Sequence, residues 1–288
     1  MTHLDTLCGF LSQTAPLKLA ESWDNVGLLI GDRTQGIQRV MTCLTITPNV
    51  VTEAIDKKVN LIVTHHPLPF QPLKRLTSDT TTGKMLLDLI SNGIAIYSAH
   101  TAYDSAENGI NQQWCDLLGV QKVKPLIEFH SESETNTAIT TESHSSNSDT
   151  CVGSGRYGRL PVEETLEELS KRAAEAVTAT SHRIVGDPQQ VVKKVAFACG
   201  SGGSFLSQAV RFGCDAMITG EATFHICLEA EARGIGLILL GHYHSERFAM
   251  ESLAKMLSEE FPDLRIWPSN YEQDPLSDGD IKAGNIDP

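Results

Sequence analysis

The sequence predicts an α/β fold built on parallel or mixed sheets. Short apolar runs rich in β-branched residues, such as 40–46 and 60–64, alternate with segments whose apolar residues recur at helical spacing. Strand–helix–strand units of this kind form parallel sheets with right-handed crossovers. The last third of the chain repeats the architecture. The chain has 288 residues, of which 41% are hydrophobic, so it is long enough to bury a substantial core.

The first half of the chain alternates between helices and strands. We predict helices over 1–19, 49–58, 82–91 and 108–118, and strands over 28–30, 40–46, 60–64 and 94–98. Thr47 and Pro48 have the order of an N-cap followed by a first-turn proline. Asn92 and Gly93 form a C-cap signal after the third helix. The proline-rich segment 67–72 predicts a loop across the mouth of a site.

The second half follows a polar interval. Residues 128–150 contain almost no large apolar residue, which predicts a flexible linker in which His130 and His144 are solvated. After it we predict a tight turn with a short strand at 151–159 and further strands over 191–199, 216–219, 236–240 and 264–267. We predict helices over 161–179 and 205–212, a third helix that follows His225 and ends at 231, and a fourth that follows Glu246 and ends at 257. The glycine-rich segment 200–204 is compatible with an anion site at a helix N-terminus or with a close backbone turn.

Composition argues against several classes of protein. The formal net charge is −13, which argues against broad nucleic-acid binding. No apolar run reaches the length of a membrane span, and the N-terminal residues show no secretory signal, so no membrane association is expected. The seven cysteines are dispersed and form no CxxC pair, which is typical of reduced thiols in a cytoplasmic protein.

Three predicted strands end in residue types that bind metal ions. These residues are His65 and His66, His100 and Asp104, and His242 and Glu246. Ligands in open α/β sheets bind beyond the carboxyl ends of the strands. A single histidine of this kind is more often a buried core residue, but three such strand ends in one chain favour a metal site. Imidazole and carboxylate groups without thiolate suit Zn, Mn, Fe, Ni or Co.

The adjacent pair His65 and His66 indicates two ions rather than one. Neighbouring side chains diverge, so the pair serves two nearby ions better than a single ion. Glu246 lies four residues after His242, and both side chains share one face if a helix begins there. A carboxylate at that place can bridge two ions about 3.5–4 Å apart, as in two-metal hydrolases. We therefore expect two divalent metal ions.

Taken together, the motifs resemble the GTP cyclohydrolase 1 type 2 homologue family, also called Nif3-like proteins. The matching segments are 22–28 (SWDNVGL), 63–67 (VTHHP), 98–104 (SAHTAYD), 200–202 (GSG), 219–221 (TGE) with His225, and 241–246 (GHYHSE). The resemblance implies two similar α/β lobes with mixed or parallel sheets and a dinuclear metal centre in the cleft between them. It also implies self-association into a toroidal homohexamer.

Carried over by position, the resemblance assigns the metal ligands. It implies that His66 and Asp104 bind one ion, that His65 and His242 bind the other, and that Glu246 bridges them. The carboxylate would then be the one residue whose loss disturbs both ions.

The resemblance leaves three histidines as candidate proton relays. His100 and His225 would lie near the metal centre as acid–base or outer-shell groups. His244 stands where relatives usually have a small residue. It is either an extra ligand or proton shuttle or a histidine at the pocket edge, and we favour the pocket edge. Thr45 stands where relatives often have Asp, so we assign no role to it.

The resemblance also suggests where the lobes begin and end. We assign 1–127 together with about 235–288 to the first lobe, 128–150 to the flexible polar linker, and 151–234 to the second lobe. Some relatives carry a large extra domain between the lobes. The short polar stretch in that place makes this chain a short form.

The residues favour a metal-dependent hydrolase of the two-metal type. The ions would activate water for attack on a nucleotide-like, phosphoester or cyclic amide substrate, and His100, His225 or His244 would relay protons. The competing hypothesis is a non-catalytic metal-binding protein, a metallochaperone or an interaction scaffold. GTP cyclohydrolase chemistry is implied by the family label alone, because no guanine-recognition element is visible in the sequence.

Overall fold

This computed structural model describes residues 2–129 and 152–277. These residues contain ten α-helices and fifteen β-strands. The strands are β1 (Thr2–His3), β2 (Gly27–Ile30), β3 (Gly36–Ile37), β4 (Arg39–Cys43), β5 (Leu61–Thr64), β6 (Ala95–Ser98), β7 (Gln121–Lys124), β8 (Ile127–Glu128), β9 (Gly153–Ser154), β10 (Arg156–Thr165), β11 (Arg183–Val185), β12 (Val191–Ala198), β13 (Ala216–Thr219), β14 (Gly236–Leu239) and β15 (Arg265–Pro268). The helices are α1 (Leu4–Thr14), α2 (Pro48–Asp56), α3 (Thr81–Ser91), α4 (His100–Ser105), α5 (Ile110–Leu117), α6 (Leu166–Ala176), α7 (Leu206–Arg211), α8 (Phe224–Arg233), α9 (His242–Glu246) and α10 (Phe248–Glu260). None of these helices has the length and apolar character that a membrane span requires.

Two sheets contain most of the strands. The five-stranded sheet has the order β15-β4-β5-β6-β2, in which β2 is antiparallel and the other strands are parallel. The six-stranded sheet has the order β11-β14-β13-β12-β10-β7, in which β12, β13 and β14 are parallel and the other pairings are antiparallel. The fold is therefore a mixed α/β fold, as the sequence predicts.

The parallel strands bring several loops to one place. Within a sheet, parallel strands end at the same edge, so residues that follow neighbouring strands become neighbours in space. The residues after β5, β6, β12 and β14 all line the same cavity. Strand ends from both large sheets thus build the candidate site.

One buried cluster joins the two large sheets. Tyr97 of the five-stranded sheet and Phe197 of the six-stranded sheet belong to the same apolar cluster. Trp114 of α5 stacks on Phe197 with ring centroids 6.3 Å apart, and its Nε1 donates to the carbonyl oxygen of Ser245 at 2.9 Å. The other face of the five-stranded sheet packs against α2 and α3. The other face of the six-stranded sheet packs against α7 and α8. Trp114 therefore ties the shared core to the helix that carries Glu246.

The helix predicted over 161–179 starts later than predicted, at Leu166. The residues before it continue β10, and Thr165 caps the helix through a capping box with Glu168. Pro161 lies where the pairing register between β10 and β12 shifts, so its missing N–H costs no regular ladder bond. Glu163 and Glu164, which follow the proline, lie in β10, and the acidic first turn of the helix consists of Glu167 and Glu168.

Two strands pair outside the lobes to which the sequence assigns them. β7 lies within the predicted first lobe, and β14 follows residue 235, yet both strands belong to the six-stranded sheet. Interstrand hydrogen bonds decide sheet membership, and position along the chain does not. The lobe boundaries themselves stay a prediction.

Most of the predicted linker falls outside the described residues. Residues 130–151, which include His130 and His144, are not among them. At the edge of this interval, Glu128 pairs with Gly153 in a short antiparallel ladder between β8 and β9.

Glu53 of α2 anchors the segment that follows β15. Its buried carboxylate accepts hydrogen bonds from Ser269 Oγ at 2.7 Å and from the backbone N–H groups of Asn270 and Tyr271 at 2.9 and 3.0 Å. We expect Glu53→Gln to lower the free energy of unfolding by about 1–3 kcal/mol, because the new amide N–H₂ faces donors and leaves them unpaired. Urea unfolding at pH 7 measures this loss.

The effect of Glu53→Gln should also depend on pH. Burial alone would raise the pKa of Glu53, but its hydrogen bonds outweigh burial and hold the pKa below its usual value. A lowered folded-state pKa stabilises the protein above the unfolded-state pKa of about 4.3, and this stabilisation is lost as pH falls through the folded-state pKa. The difference between wild type and Glu53→Gln should therefore shrink on acidification. Asp56→Asn, at an exposed position of the same helix, is the control, and an equal loss in both variants would contradict the assignment.

Candidate metal centre

His65 and His66 lie in a bend directly after β5, and the backbone there is hydrogen-bonded to the segment that follows β4. Their backbone N–H groups donate to the carbonyl oxygens of Cys43 and Leu44 at 3.0 and 2.8 Å. The ring centroids of the two adjacent histidines are 5.0 Å apart, so both imidazoles enter the same cluster. The pair can therefore contribute to two neighbouring sites.

Two short helices carry the other predicted ligands. α4 begins at His100 directly after β6 and carries Asp104 one turn later. α9 begins at His242 after Gly241, whose φ is +84°, and ends at Glu246. Residues four apart lie on the same helix face, so each short helix presents two ligand types to one side. The sequence predicts this placement for His242 and Glu246 but does not predict α4 as a helix.

Glu246 lies at the centre of the cluster. Its Oε2 is 3.2 Å from His66 Nε2 and 3.1 Å from His242 Nε2. Its Oε1 is 3.9 Å from His65 Nε2, which is in turn 3.6 Å from Asp104 Oδ1. The two oxygens of one carboxylate thus face different sets of side chains.

These contacts divide the five residues into two groups that share Glu246. One group is His65, Asp104 and Glu246, and the other is His66, His242 and Glu246. Within each group the ligand atoms lie within 4.8 Å of one another, so either group could hold a metal ion. The resemblance implies the other pairing, in which His66 shares an ion with Asp104 and His65 shares one with His242. In the structure His65 Nε2 lies 3.6 Å from Asp104 Oδ1, and His66 Nε2 lies 3.3 Å from His242 Nε2. Which residues share an ion stays a prediction.

Buried polar atoms without hydrogen bonds fit a bound cation. His65 is 2% exposed, and neither of its ring nitrogens makes a hydrogen bond. Glu246 Oε2 also makes none of acceptable geometry, although two imidazoles lie close to it. Such unpartnered buried atoms are costly. A divalent ion would engage imidazole nitrogen and carboxylate oxygen together, and this donor set suits Zn, Mn, Fe, Ni or Co.

The electrostatics of the cluster favour a neutral His65 and an ionised Glu246. Burial lowers the pKa of His65 well below its usual value. Burial would raise the pKa of Glu246, but the contacts with His242 and His65 outweigh it and hold the pKa below the usual range. Burial and the charge of Glu246 raise the pKa of Asp104 to about 7, and the contact with Glu246 raises the pKa of His242 to about 9. Metal ligands must be unprotonated, so ion binding would displace protons from these two groups.

Outer residues orient two of the imidazoles. Thr45 Oγ1 lies 2.7 Å from His66 Nδ1, and Glu221 Oε1 lies 2.9 Å from His242 Nδ1. Ser201 Oγ donates to the same Glu221 oxygen at 2.6 Å. Contacts of this kind fix the tautomer and ring orientation of a metal-binding histidine. Thr45, to which the sequence assigns no role, therefore contacts a predicted ligand. Glu221 contacts another, although the sequence names it only as part of the segment 219–221 and gives it no role.

His100 lies beside the adjacent histidines. Its ring centroid is 5.1 Å from that of His65 and 5.5 Å from that of His66. Burial would lower the pKa of His100, but the hydrogen bond with Asp24, with further help from the charge of Asp104, outweighs it and raises the pKa. The structure thus brings this predicted proton relay to the centre.

The other two predicted relays have different surroundings. His225 is exposed in the first turn of α8 and packs against Phe224. His244 Nε2 lies 3.6 Å from Asp274 Oδ2, and its ring packs against Tyr243. Neither histidine is among the described residues that line the cavity beside the cluster. For His244 the reason is helical geometry, because a residue two positions from each inward-facing ligand of α9 points away from them.

Gly200 allows the backbone after β12 to approach Glu246. Its φ is +59°, and a Cβ at this position would lie 2.2 Å from Glu246 Oε1. Its N–H donates to Ser245 Oγ at 2.9 Å. Of the two interpretations of segment 200–204, the structure shows the close backbone turn. The only signal in the sequence is the glycine spacing itself.

A cavity of about 710 Å³ opens beside the cluster, a size typical of small-molecule sites. Four of the five predicted ligands line it, namely His66, Asp104, His242 and Glu246, and so does His100. Trp23 and Phe70 also line it, with side chains 58% and 47% exposed and ring centroids 6.0 Å apart. Phe70 belongs to the proline-rich segment 67–72, which contributes to the wall of the site as predicted.

A comparison with protein families connects this geometry to known proteins. The model for Duf34/NIF3, NGG1p interacting factor 3, matches residues 2–275. The chain belongs to the DUF34/NIF3 family. A GTP cyclohydrolase 1 type 2 homolog of Clostridium acetobutylicum is 35% identical over 251 residues, which are 87% of this chain and 88% of the relative. NIF3-like protein 1 of Drosophila melanogaster is 32% identical over 276 residues, which are 92% of this chain and 86% of the relative. The resemblance inferred from the motifs is thereby confirmed.

Solved structures of similar proteins share this fold. Staphylococcus aureus protein SA1388 has a TM-score of 0.83 at 27% identity, over 96% of this chain and 99% of that one. Reduced HcgD from Methanocaldococcus jannaschii has a TM-score of 0.76 at 26% identity, over 93% and 98%. A Bacillus cereus protein related to NIF3 has a TM-score of 0.85 at 24% identity, over 96% and 99%, and supports the fold alone. The NIF3 fold therefore extends over nearly the whole chain.

Proposed function

We propose that this NIF3 family protein is a two-metal hydrolase. The observation that carries the proposal is the position of Glu246, whose two carboxylate oxygens face separate groups of ligands. In the proposal, His65 and Asp104 bind one divalent ion, His66 and His242 bind the other, and Glu246 bridges them. Carboxylate-bridged ions about 3.5–4 Å apart are the arrangement found in two-metal hydrolases.

Side chains of this chain would orient and complete that centre. When bound, two ions acidify water and stabilise the negative charge that develops in the transition state. Thr45 and Glu221 hold the rings of His66 and His242 from behind. His100 lines the cavity and, in the proposal, accepts a proton from the attacking water and returns it to the leaving group. Of the three predicted relays, we keep this role for His100 alone.

The proposed substrate is a small molecule with a nucleotide-like, phosphoester or cyclic amide group. The cavity of about 710 Å³ accommodates such a molecule next to the cluster. The exposed rings of Trp23 and Phe70 offer apolar faces against which a planar group can pack. The toroidal homohexamer implied by the resemblance and the cytoplasmic location stay predictions.

Metal loading and removal test the proposal. Protein loaded with Zn²⁺ or Mn²⁺ should hold about two ions per chain, counted by inductively coupled plasma mass spectrometry. It should also turn over at least one member of a panel of p-nitrophenyl phosphodiesters, nucleoside phosphates and cyclic amides. Dialysis against a chelator should abolish turnover, and return of the metal should restore it.

The controls separate catalysis from metal binding. His3→Gln, at an exposed position, should keep both ion content and turnover. Two bound ions without turnover anywhere in the panel would indicate a non-catalytic metal-binding protein. A chain that takes up no ion under any loading condition would overturn the metal centre.

A further inference from the structure

Asp24, in the motif at 22–28 that the metal centre does not explain, is buried against α4. Its side chain has 0% exposure, and its carboxylate accepts several hydrogen bonds. Oδ1 accepts from the backbone N–H of Asn25 at 2.7 Å and lies 2.7 Å from His100 Nδ1. Oδ2 accepts from the backbone N–H of Thr101 at 3.1 Å and from Thr101 Oγ1 at 2.5 Å. Both oxygens are thus saturated by donors.

This arrangement determines which nitrogen of His100 carries a proton. A carboxylate only accepts, and Asp24 Oδ1 is next to Nδ1, so Nδ1 must be the N–H donor. Nε2 is then the nitrogen left for the cavity, where one nitrogen of His100 lies within 4.8 Å of nitrogens of His65 and His66. The bonds also hold His100 at a φ of +27°, a backbone conformation that a residue with a side chain rarely adopts.

Two aromatic residues also contact the ring of His100. Trp23 and Phe70 each lie with ring centroids 6.0 Å from that of His100, both nearly perpendicular to it. Asn25 Nδ2 donates to the carbonyl oxygen of Pro69 at 2.8 Å, which ties the loop of Asp24 to the loop of Phe70. The ring is therefore held by a carboxylate at Nδ1 and by aromatic neighbours at its edges.

We propose that Asp24 is a positioning residue that keeps the proton of His100 on Nδ1 and presents Nε2 to the reacting groups. Nε2 then takes a proton from the attacking water and gives it to the leaving oxygen or nitrogen, while the Nδ1–H···Oδ1 bond persists throughout. The role in turnover rests on the proposed hydrolase function. The fixed tautomer does not, and it can be tested separately.

The first test reads the tautomer directly. Magic-angle-spinning NMR of ¹⁵N-histidine-labelled, zinc-loaded protein should show His100 with its proton on Nδ1 alone, with the signal assigned by its absence in His100→Gln. In Asp24→Ala the acceptor is gone, and both tautomers should appear. Asp24→Leu, which also lacks an acceptor and better fills the buried site, serves if the alanine variant does not fold. A mixture of tautomers in wild type, or an unchanged signal in every folded Asp24 variant, overturns the proposal.

The second test uses turnover of the substrate identified in the panel. Asp24→Asn should lower kcat by about 10–100-fold, the usual cost of losing an outer-shell partner, with KM within about twofold and the bound metal unchanged. Asp32→Asn is the matched control, because Asp32 also accepts from the N–H and Oγ1 of a threonine, at 2.9 and 2.7 Å, but contacts no histidine. This variant should keep wild-type kcat.

A double variant distinguishes positioning from a general structural effect. If Asp24 acts through His100, then Asp24→Asn combined with His100→Gln should be no slower than His100→Gln alone. A further 10-fold or greater loss in the double variant, or wild-type kcat in Asp24→Asn, overturns the proposal. Absence of any turnover in wild type is a failure of the hydrolase function, and the NMR result then decides the arrangement by itself.

Discussion

Glu246→Gln should remove both metal ions from the protein at once. The carboxylate is 3% exposed and has one oxygen toward each ligand group, so the amide cannot serve both groups. An amide nitrogen is a donor and does not bind a cation, and the negative charge shared by the two ions is lost. We expect the ion content after dialysis to fall from about two per chain to near zero. Competition with a chromophoric chelator should show more than about 100-fold weaker binding, beyond the usual cost of an outer-shell change.

Variants that change a ligand in only one of the two groups distinguish the loss of one ion from the loss of both. Asp104→Asn should weaken mainly the position shared with His65, and His242→Gln mainly the position shared with His66. Each should therefore leave one ion bound where Glu246→Gln leaves neither. Glu251→Gln, a change at a side chain 67% exposed, is the matched control and should retain both ions. Two tightly bound ions in Glu246→Gln would contradict the bridging role.

Gly200→Ala should impair the metal centre without changing any ligand. The added Cβ would lie 2.2 Å from Glu246 Oε1 and 3.2 Å from His242 Nε2, so the buried carboxylate must move out of its position. The alanine must also adopt a φ of +59°, which costs about 1–2 kcal/mol. We expect at least about 10-fold weaker metal binding, comparable to the loss of an outer-shell partner, measured by the same chelator competition.

Gly213→Ala separates backbone strain from the steric effect on the site. Gly213 has a φ of +65°, but no atom lies within 4 Å of the place where its Cβ would be. Its replacement should lower the free energy of unfolding by about 1–2 kcal/mol through strain alone and leave metal binding unchanged. Equal metal affinities in the two alanine variants would show that Gly200 is needed only for the turn.

The sequence singles out the residues that cluster in the structure, because each of them belongs to a local feature. His65 and His66 follow a short apolar strand, and His242 and Glu246 are spaced by one helical turn. Neither feature requires knowledge of the partner strands. Local features do not decide where His225 and His244 point. Both residues stand close in sequence to motif residues, and in the structure neither is among the described residues that line the cavity.

By itself, the sequence determines the α/β class, the strand ends that carry imidazole and carboxylate groups, and membership of the NIF3 family. These follow from periodicity and from short motifs, which depend on neighbours along the chain. Only the tertiary structure shows which of these groups lie together, because His66 and His242 meet across 176 positions of sequence. It alone shows that Asp24 supports His100 across 76 positions and that Gly200 must lack a side chain beside Glu246. Such contacts arise from the packing of two sheets on one shared core, and no local pattern in the chain encodes them.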